Sequence, residues 1–188
     1  SLNERWTISS ALSDNGRPDI ALTLAAQDSY PSWGYMLGKG ATTIWELWNG
    51  DTADPAMNSG NHVMLVGDLI IWFYETLAGI APDPALPGFK HIVMRPQPVG
   101  DLTFVKASHR SPYGKIKSEW RKKNGQFDWQ IEIPPNSTAT VYVPAASADA
   151  VTESGKPLAK AQGVKLLRAE KGAVVLAVAS GEYHFAAR

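Results

Sequence analysis

The stretch from Asn61 to Ile80 limits what this chain can become. Val63, Val66, Ile70, Phe73, Tyr74 and Leu77 recur at the spacing of one helix face, and Leu65, Leu69 and Trp72 cover much of the rest. The spacing predicts a helix over 61–80 that is apolar nearly all round, and such a helix is buried on several sides. It therefore needs several helical neighbours. The chain supplies few. Asn15-Gly16-Arg17-Pro18-Asp19 predicts a turn that places Pro18 in a first helical turn, and Ile20 to Ala26 continue that helix. Tyr30-Pro31-Ser32-Trp33-Gly34 then breaks the pattern. Gly38, Gly40 and Gly50 bracket Thr42 to Trp48, which reads either as a short strand or as an irregular loop. The helical part is incomplete by itself.

Ala81-Pro82-Asp83-Pro84-Ala85-Leu86-Pro87-Gly88 ends the helix as a rigid connection, and beyond it the hydrophobic period changes to two. Strands are predicted over 91–95, 102–109, 115–121, 127–133, 139–143, 164–168, 174–179 and 182–186. Lys123-Asn124-Gly125-Gln126 between two of them is a hairpin signal. Short strands at this spacing favour an antiparallel sandwich. The expected class is α+β, with a helical part over 1–85 and a β-sandwich over 86–188.

Charge divides the chain in the same place. Residues 1–90 carry 4 Lys/Arg against 10 Asp/Glu, whereas 91–188 carry 14 against 8, and the two parts cancel to a net charge of zero. Five of the 7 tryptophans lie in the first part. Opposite charge and different aromatic content support two domains. A neutral total removes the global electrostatic argument for nucleic acid. The run from Val63 to Ile80 carries Asp68 and Glu75 and is too short and too charged for a membrane span. With no cysteine, four histidines and no H-E-x-x-H, no metal site is expected. No phosphate-binding glycine motif occurs, and no cofactor is expected. The compartment stays open.

The window from Tyr30 to His62 holds Tyr30, Trp33, Tyr35, Trp45, Glu46, Trp48, Asp51, Asp54, Asn61 and His62 among glycines. Aromatic faces stack on sugar rings, while carboxylates, amides and imidazoles bond hydroxyls and move protons. The window reads equally as a pocket for a neutral polyhydroxylated ligand or as a tryptophan-rich core with glycine turns. Glu46 stands between Trp45 and Trp48. A carboxylate among indoles is desolvated, which suits proton transfer; an exposed or arginine-paired glutamate is the other reading. His62 follows Asn58-Ser59-Gly60-Asn61 and opens the predicted helix, either near a ligand at the helix N-terminus or as a structural histidine.

At these residues the sequence resembles the carboxy-terminal part of bacterial α-L-rhamnosidases, which are large inverting glycoside hydrolases with an (α/α)6 barrel. The resemblance rests on Tyr30-Pro31-Ser32-Trp33-Gly34-Tyr35-Met36, Gly40-Ala41-Thr42-Thr43-Ile44-Trp45-Glu46-Leu47-Trp48 and Ser59-Gly60-Asn61-His62. It continues through Trp72-Phe73-Tyr74, Pro87-Gly88-Phe89-Lys90-His91, Ser111-Pro112-Tyr113-Gly114 and Ile133-Pro134-Pro135-Asn136. The resemblance implies that 1–85 are the last helices of the barrel and 86–188 the sandwich. It implies that Glu46 is the general base and that His62 binds sugar hydroxyls, with Trp45, Trp48, Trp33 and Asn61 around the sugar. The position after the motif glutamate, often arginine in relatives, is Leu47 here.

An inverting glycosidase also needs a general acid, about 6.5–9.5 Å from the base. In the family it comes from a D-x-R-x-G-W-like stretch far upstream, and these residues contain none. The chain is accordingly expected to be a piece of the enzyme, acting on rhamnose-containing glycosides only with the remainder of the barrel and inactive alone. The uncovered helix surface is expected to drive self-association. A second reading is a non-catalytic sandwich module for carbohydrate binding or assembly. Its carbohydrate-binding form would need Trp120 and Trp129 exposed as a platform.

Overall fold

The computed structural model describes residues 8–62 and 66–188, and the chain divides into two compact units, Ser1–Phe73 and Tyr74–Arg188. The order is helices first and β-sandwich second, the α+β class expected from the change of period.

The first unit contains α1 (Ile8–Asp14), α2 (Pro18–Ala26), α3 (Trp33–Gly38) and α4 (Val66–Trp72). Pro18 opens α2, where its missing N–H costs nothing. Ser32 caps α3 by accepting the Tyr35 backbone N–H at 2.9 Å. The buried face of α1 is made of serines, Ser9, Ser10 and Ser13. Small side chains let α4 approach, and the indole N–H of buried Trp72 donates to Ser13 Oγ at 2.7 Å. Ser13 in turn donates to the Ser9 carbonyl at 2.8 Å.

The helix expected over 61–80 is shorter. Asn61 and His62 lie in non-helical backbone, and Val63 and Leu65 lie outside the described residues. The α-helix ends at Trp72, passes into a π-helical turn at Phe73–Leu77, and the chain is extended from Ile80. Trp72 is buried, but Ile70, Ile71 and Phe73 are exposed. Among the described residues no helix is long and apolar enough to cross a membrane.

The second unit follows with β1 (Ile80–Pro82), β2 (His91–Met94), β3 (Phe104–Ser111), β4 (Gly114–Lys123), β5 (Gln126–Ile133) and β6 (Thr138–Val143). It closes with β7 (Val151–Glu153), β8 (Lys156–Pro157), β9 (Val164–Glu170), β10 (Ala173–Val178) and β11 (Gly181–Ala187). One sheet has the order β1-β2-β6-β10-β9 and the other β3-β4-β5-β11-β7-β8. All these pairs are antiparallel except β2 with β6, which is parallel. The eight strands read from the period of two are all present. At the tip of the β4–β5 hairpin, Asn124 and Gly125 have φ of 51° and 76°, the left-handed pair that a two-residue turn requires.

One core joins the two sheets. Ile92, Met94, Val141 and Leu176 face Ile116, Trp120, Trp129, Ile131 and Phe185. Trp120 and Trp129 are cross-strand partners, and Trp129 is in turn opposite Phe185. Aromatic pairs of this kind stabilise a sheet beyond simple burial. Both tryptophans are buried, so the exposed platform that a carbohydrate-binding sandwich would need is not formed by them. Their N–H groups are satisfied inside. Trp129 donates to Ser118 Oγ at 2.9 Å, Ser118 donates to the Ala78 carbonyl at 2.6 Å, and Trp120 donates to the Leu77 carbonyl at 2.7 Å. These are carbonyls at the end of the π-helical turn, which helical bonding leaves open. The interior of the sandwich thus caps that turn.

Candidate functional site

Of the residues singled out from the sequence, Trp33 opens α3, and Trp45, Glu46, Trp48, Asn61 and His62 lie on the irregular segment 39–62 that follows it. Thr42–Trp48 is neither helix nor strand, yet it is held by a short ladder to 58–62. The Glu46 N–H donates to the Ser59 carbonyl at 2.9 Å, and the His62 N–H donates to the Ile44 carbonyl at 2.7 Å. The Leu47 N–H donates to Asn58 Oδ1 at 3.1 Å. Thr43 donates its hydroxyl to the Gly60 carbonyl, and the Asn61 N–H donates to Ser59 Oγ at 3.3 Å. Two short motifs, neither stable alone, are thereby clasped together.

The clasp brings Glu46 to His62. The Ser59 N–H donates to Glu46 Oε2 at 3.0 Å, and His62 Nδ1 lies 3.7 Å from the same oxygen. In a regular antiparallel rung the Ser59 N–H would bond the Glu46 carbonyl; here the carboxylate takes that place. The side chain of Glu46 is 42% exposed, which is the exposed of the two readings rather than a carboxylate enclosed by indoles. The reason is local. Trp45 turns back on Gly50, whose hydrogen faces the indole so closely that a Cβ there would lie 2.7 Å from the ring. Trp48 instead meets Trp33 edge-to-face at 5.8 Å.

The indole N–H groups of Trp33, Trp45 and Trp48 have no hydrogen-bond partner among the described residues. Asn61 is exposed beside His62. Behind this group Tyr35 packs on Tyr30 at 5.2 Å, and Asp51 lies 3.8 Å from Lys39 and 3.5 Å from the Tyr35 hydroxyl. The structure therefore joins Glu46 to His62 and Trp33 to Trp48. It places Trp45 and Asn61 next to the first pair along the chain. Sequence reading missed Asn58 and the Ser59 backbone as partners of this segment. The cavities of about 440 and 460 Å³ in the sandwich, lined by residues such as Lys117, Gln130, Asp128 and His184, contain none of the site residues.

An exposed carboxylate with one oxygen held by an N–H, beside an imidazole and unpaired indoles, can accept a proton from a hydroxyl or water bound on an aromatic floor. Residues 6–77 match the bacterial α-L-rhamnosidase six-hairpin glycosidase domain, and residues 79–157 match the bacterial α-L-rhamnosidase C-terminal domain. Both parts of the chain thus match domains of the bacterial α-L-rhamnosidase family. An α-L-rhamnosidase of Streptomyces avermitilis is 37% identical over 179 residues, covering 93% of this chain and 16% of that enzyme. The crystal structure of the Streptomyces avermitilis α-L-rhamnosidase complexed with L-rhamnose superposes with a TM-score of 0.85 at 35% identity, over 96% of this chain and 17% of that one. The α-L-rhamnosidase of Dictyoglumus thermophilum gives a TM-score of 0.84 at 34% identity, over 100% of this chain and 20% of that one. The chain spans only 16% to 20% of the length of the curated α-L-rhamnosidases it matches.

Proposed function

We propose that this chain is the C-terminal section of an α-L-rhamnosidase that hydrolyses terminal α-L-rhamnosides with inversion, and that it supplies the general base. Residues 1–85 are then the last helices of the barrel and 86–188 its C-terminal sandwich. The observation that carries the reading is the clasp that sets the Glu46 carboxylate beside His62. The family match, and a similar structure determined with L-rhamnose, support the sugar class.

In this reading Glu46 Oε2 is held by the Ser59 N–H, and Oε1 takes the proton. A water bonded to Oε1 attacks the anomeric carbon from the face opposite the leaving group. As the new C–O bond forms, the water O–H bond breaks toward Glu46 and the glycosidic C–O bond breaks. The leaving oxygen takes a proton from an acid carried by another part of the enzyme. The anomeric configuration inverts. His62 and Asn61 bond ring hydroxyls, and Trp33, Trp45 and Trp48 form the apolar wall, with their N–H groups turned to hydroxyls that replace water.

The test is product stereochemistry. Proton NMR of the hydrolysis of p-nitrophenyl α-L-rhamnoside by the complete enzyme is expected to show β-L-rhamnose first, with no turnover by the present chain alone. A first-formed α-anomer overturns inversion. Turnover by the purified chain overturns the division of the two carboxyl groups between this section and the rest.

A further inference from the structure

We propose that Asn58 is the positioning residue for the Glu46 carboxylate, its side-chain amide standing in for a main-chain carbonyl that the short ladder lacks opposite Leu47. This rests on the reading of Glu46 as the general base.

The direction in which Glu46 presents its side chain is set by the peptides on either side of it. The preceding peptide is pinned by the Glu46 N–H bond to the Ser59 carbonyl at 2.9 Å. The following one is pinned by the Leu47 N–H, and its acceptor is Asn58 Oδ1 at 3.1 Å. With both peptides held, φ and ψ of Glu46 are fixed, and the Ser59 N–H then fixes the carboxylate through Oε2 at 3.0 Å. Asn58 and Ser59 are consecutive, so one two-residue edge supplies the acceptors for both peptides and a donor to the carboxylate. Regular secondary structure does not perform that task, because 39–62 has no helix or sheet to hold it. Asn58 is half-buried, whereas Glu46 is exposed, which fits a template behind a reacting group. Misplacing a base by a fraction of an ångström lowers the turnover rate more than it weakens substrate binding.

The chemistry distinguishes the substitutions. Alanine removes the acceptor. Aspartate keeps an oxygen at the same position and adds a negative charge near Glu46, which favours the protonated base. In the complete enzyme assayed with p-nitrophenyl α-L-rhamnoside, Asn58→Ala is expected to lower kcat about tenfold with KM within about twofold. Asn58→Asp is expected to hold kcat on the pH plateau within about threefold of the wild type, with the acid limb of the pH–rate profile moved to higher pH. In the chain itself, hydrogen exchange by NMR should show the Leu47 amide protected in the wild type and in Asn58→Asp.

Glu46→Gln is the reference. If it keeps wild-type kcat, the base reading fails and this proposal with it. If it abolishes turnover while Asn58→Ala matches the wild type, positioning alone is overturned. Should Asn58→Ala fail to fold, Asn58→Asp decides: the shifted acid limb with a preserved plateau supports the proposal, and a lost plateau or an unshifted limb overturns it.

Discussion

Trp120 and Trp129 are 1% and 0% exposed, and each donates its indole N–H to an oxygen within Tyr74–Arg188. Trp48 is 39% exposed, and the N–H groups of Trp33, Trp45 and Trp48 have no partner among the described residues. The same residue type thus serves two purposes. In the sandwich the ring fills the core and its one donor is spent on a carbonyl or hydroxyl, since an unpaired buried donor costs about 1–3 kcal/mol. Around the 39–62 segment the rings lean on each other or on a glycine, and their donors meet no partner among the described residues. Counting tryptophans in the sequence does not separate the two uses. Hydrogen-bond satisfaction of the indole does.

The difference predicts unequal responses to truncation. Trp120→Ala is expected to destabilise the sandwich by about 3–5 kcal/mol, because it opens a large cavity and leaves the Leu77 carbonyl without its donor. Trp48→Ala is expected to cost only about 1 kcal/mol, the order of its edge-to-face pair with Trp33. Urea unfolding of the two variants checks this, and equal losses would erase the distinction. Next in size is Ser118→Ala. It strands both the Trp129 N–H and the Ala78 carbonyl, with an expected loss of about 1–3 kcal/mol by the same measurement. Gly125→Ala is smaller. A side chain at φ 76° costs about 1 kcal/mol in the β4–β5 turn, and no change in the unfolding midpoint would contradict the left-handed assignment.

The smallest effect is electrostatic. Burial, with a lesser contribution from Glu153, raises the Tyr183 phenol above its ordinary value. Its contribution to stability is fully present below pH about 10 and falls as pH rises toward the displaced value. Tyr183→Phe should flatten the alkaline side of the stability profile.

Legibility in the sequence differed between the two units for a physical reason. Period-two alternation survives where a strand is covered on one face, as in β2, β4, β5, β6 and β11, whereas β10 is buried on both faces and reads as a continuous apolar run, and β9 is exposed along most of its length. β1, β7 and β8 are not legible. Each has three residues or fewer, too short for a period, and β1 owes its existence to distant pairing of Ile80 with Met94 and Pro82 with Ile92. Ile80 fits the end of a helix as well as it fits a strand, so periodicity alone carries the helix past Trp72, where the α-helix ends. The residue types of the site were readable, Glu46, His62 and the indoles among them. Their arrangement was not. Two rungs of the clasp are bonds between backbone groups, which carry no sequence signature, and the other three pair a side chain with a distant backbone group. The rung at Leu47 depends on an asparagine amide imitating a carbonyl. The sequence leaves Glu46 either desolvated or exposed, and neighbours along the chain do not decide between the two, because Trp45 folds back on Gly50 and Trp48 meets Trp33.

The most direct measurement is kcat for α-L-rhamnoside hydrolysis by the complete enzyme carrying Glu46→Gln, with L-rhamnose affinity measured alongside. The amide keeps the shape and the Ser59 contact but cannot take the proton from water. A loss of about 10²–10⁴-fold in kcat with affinity changed only a few-fold is the predicted result. A kcat within about threefold of the wild type would contradict the assignment of Glu46 as the base.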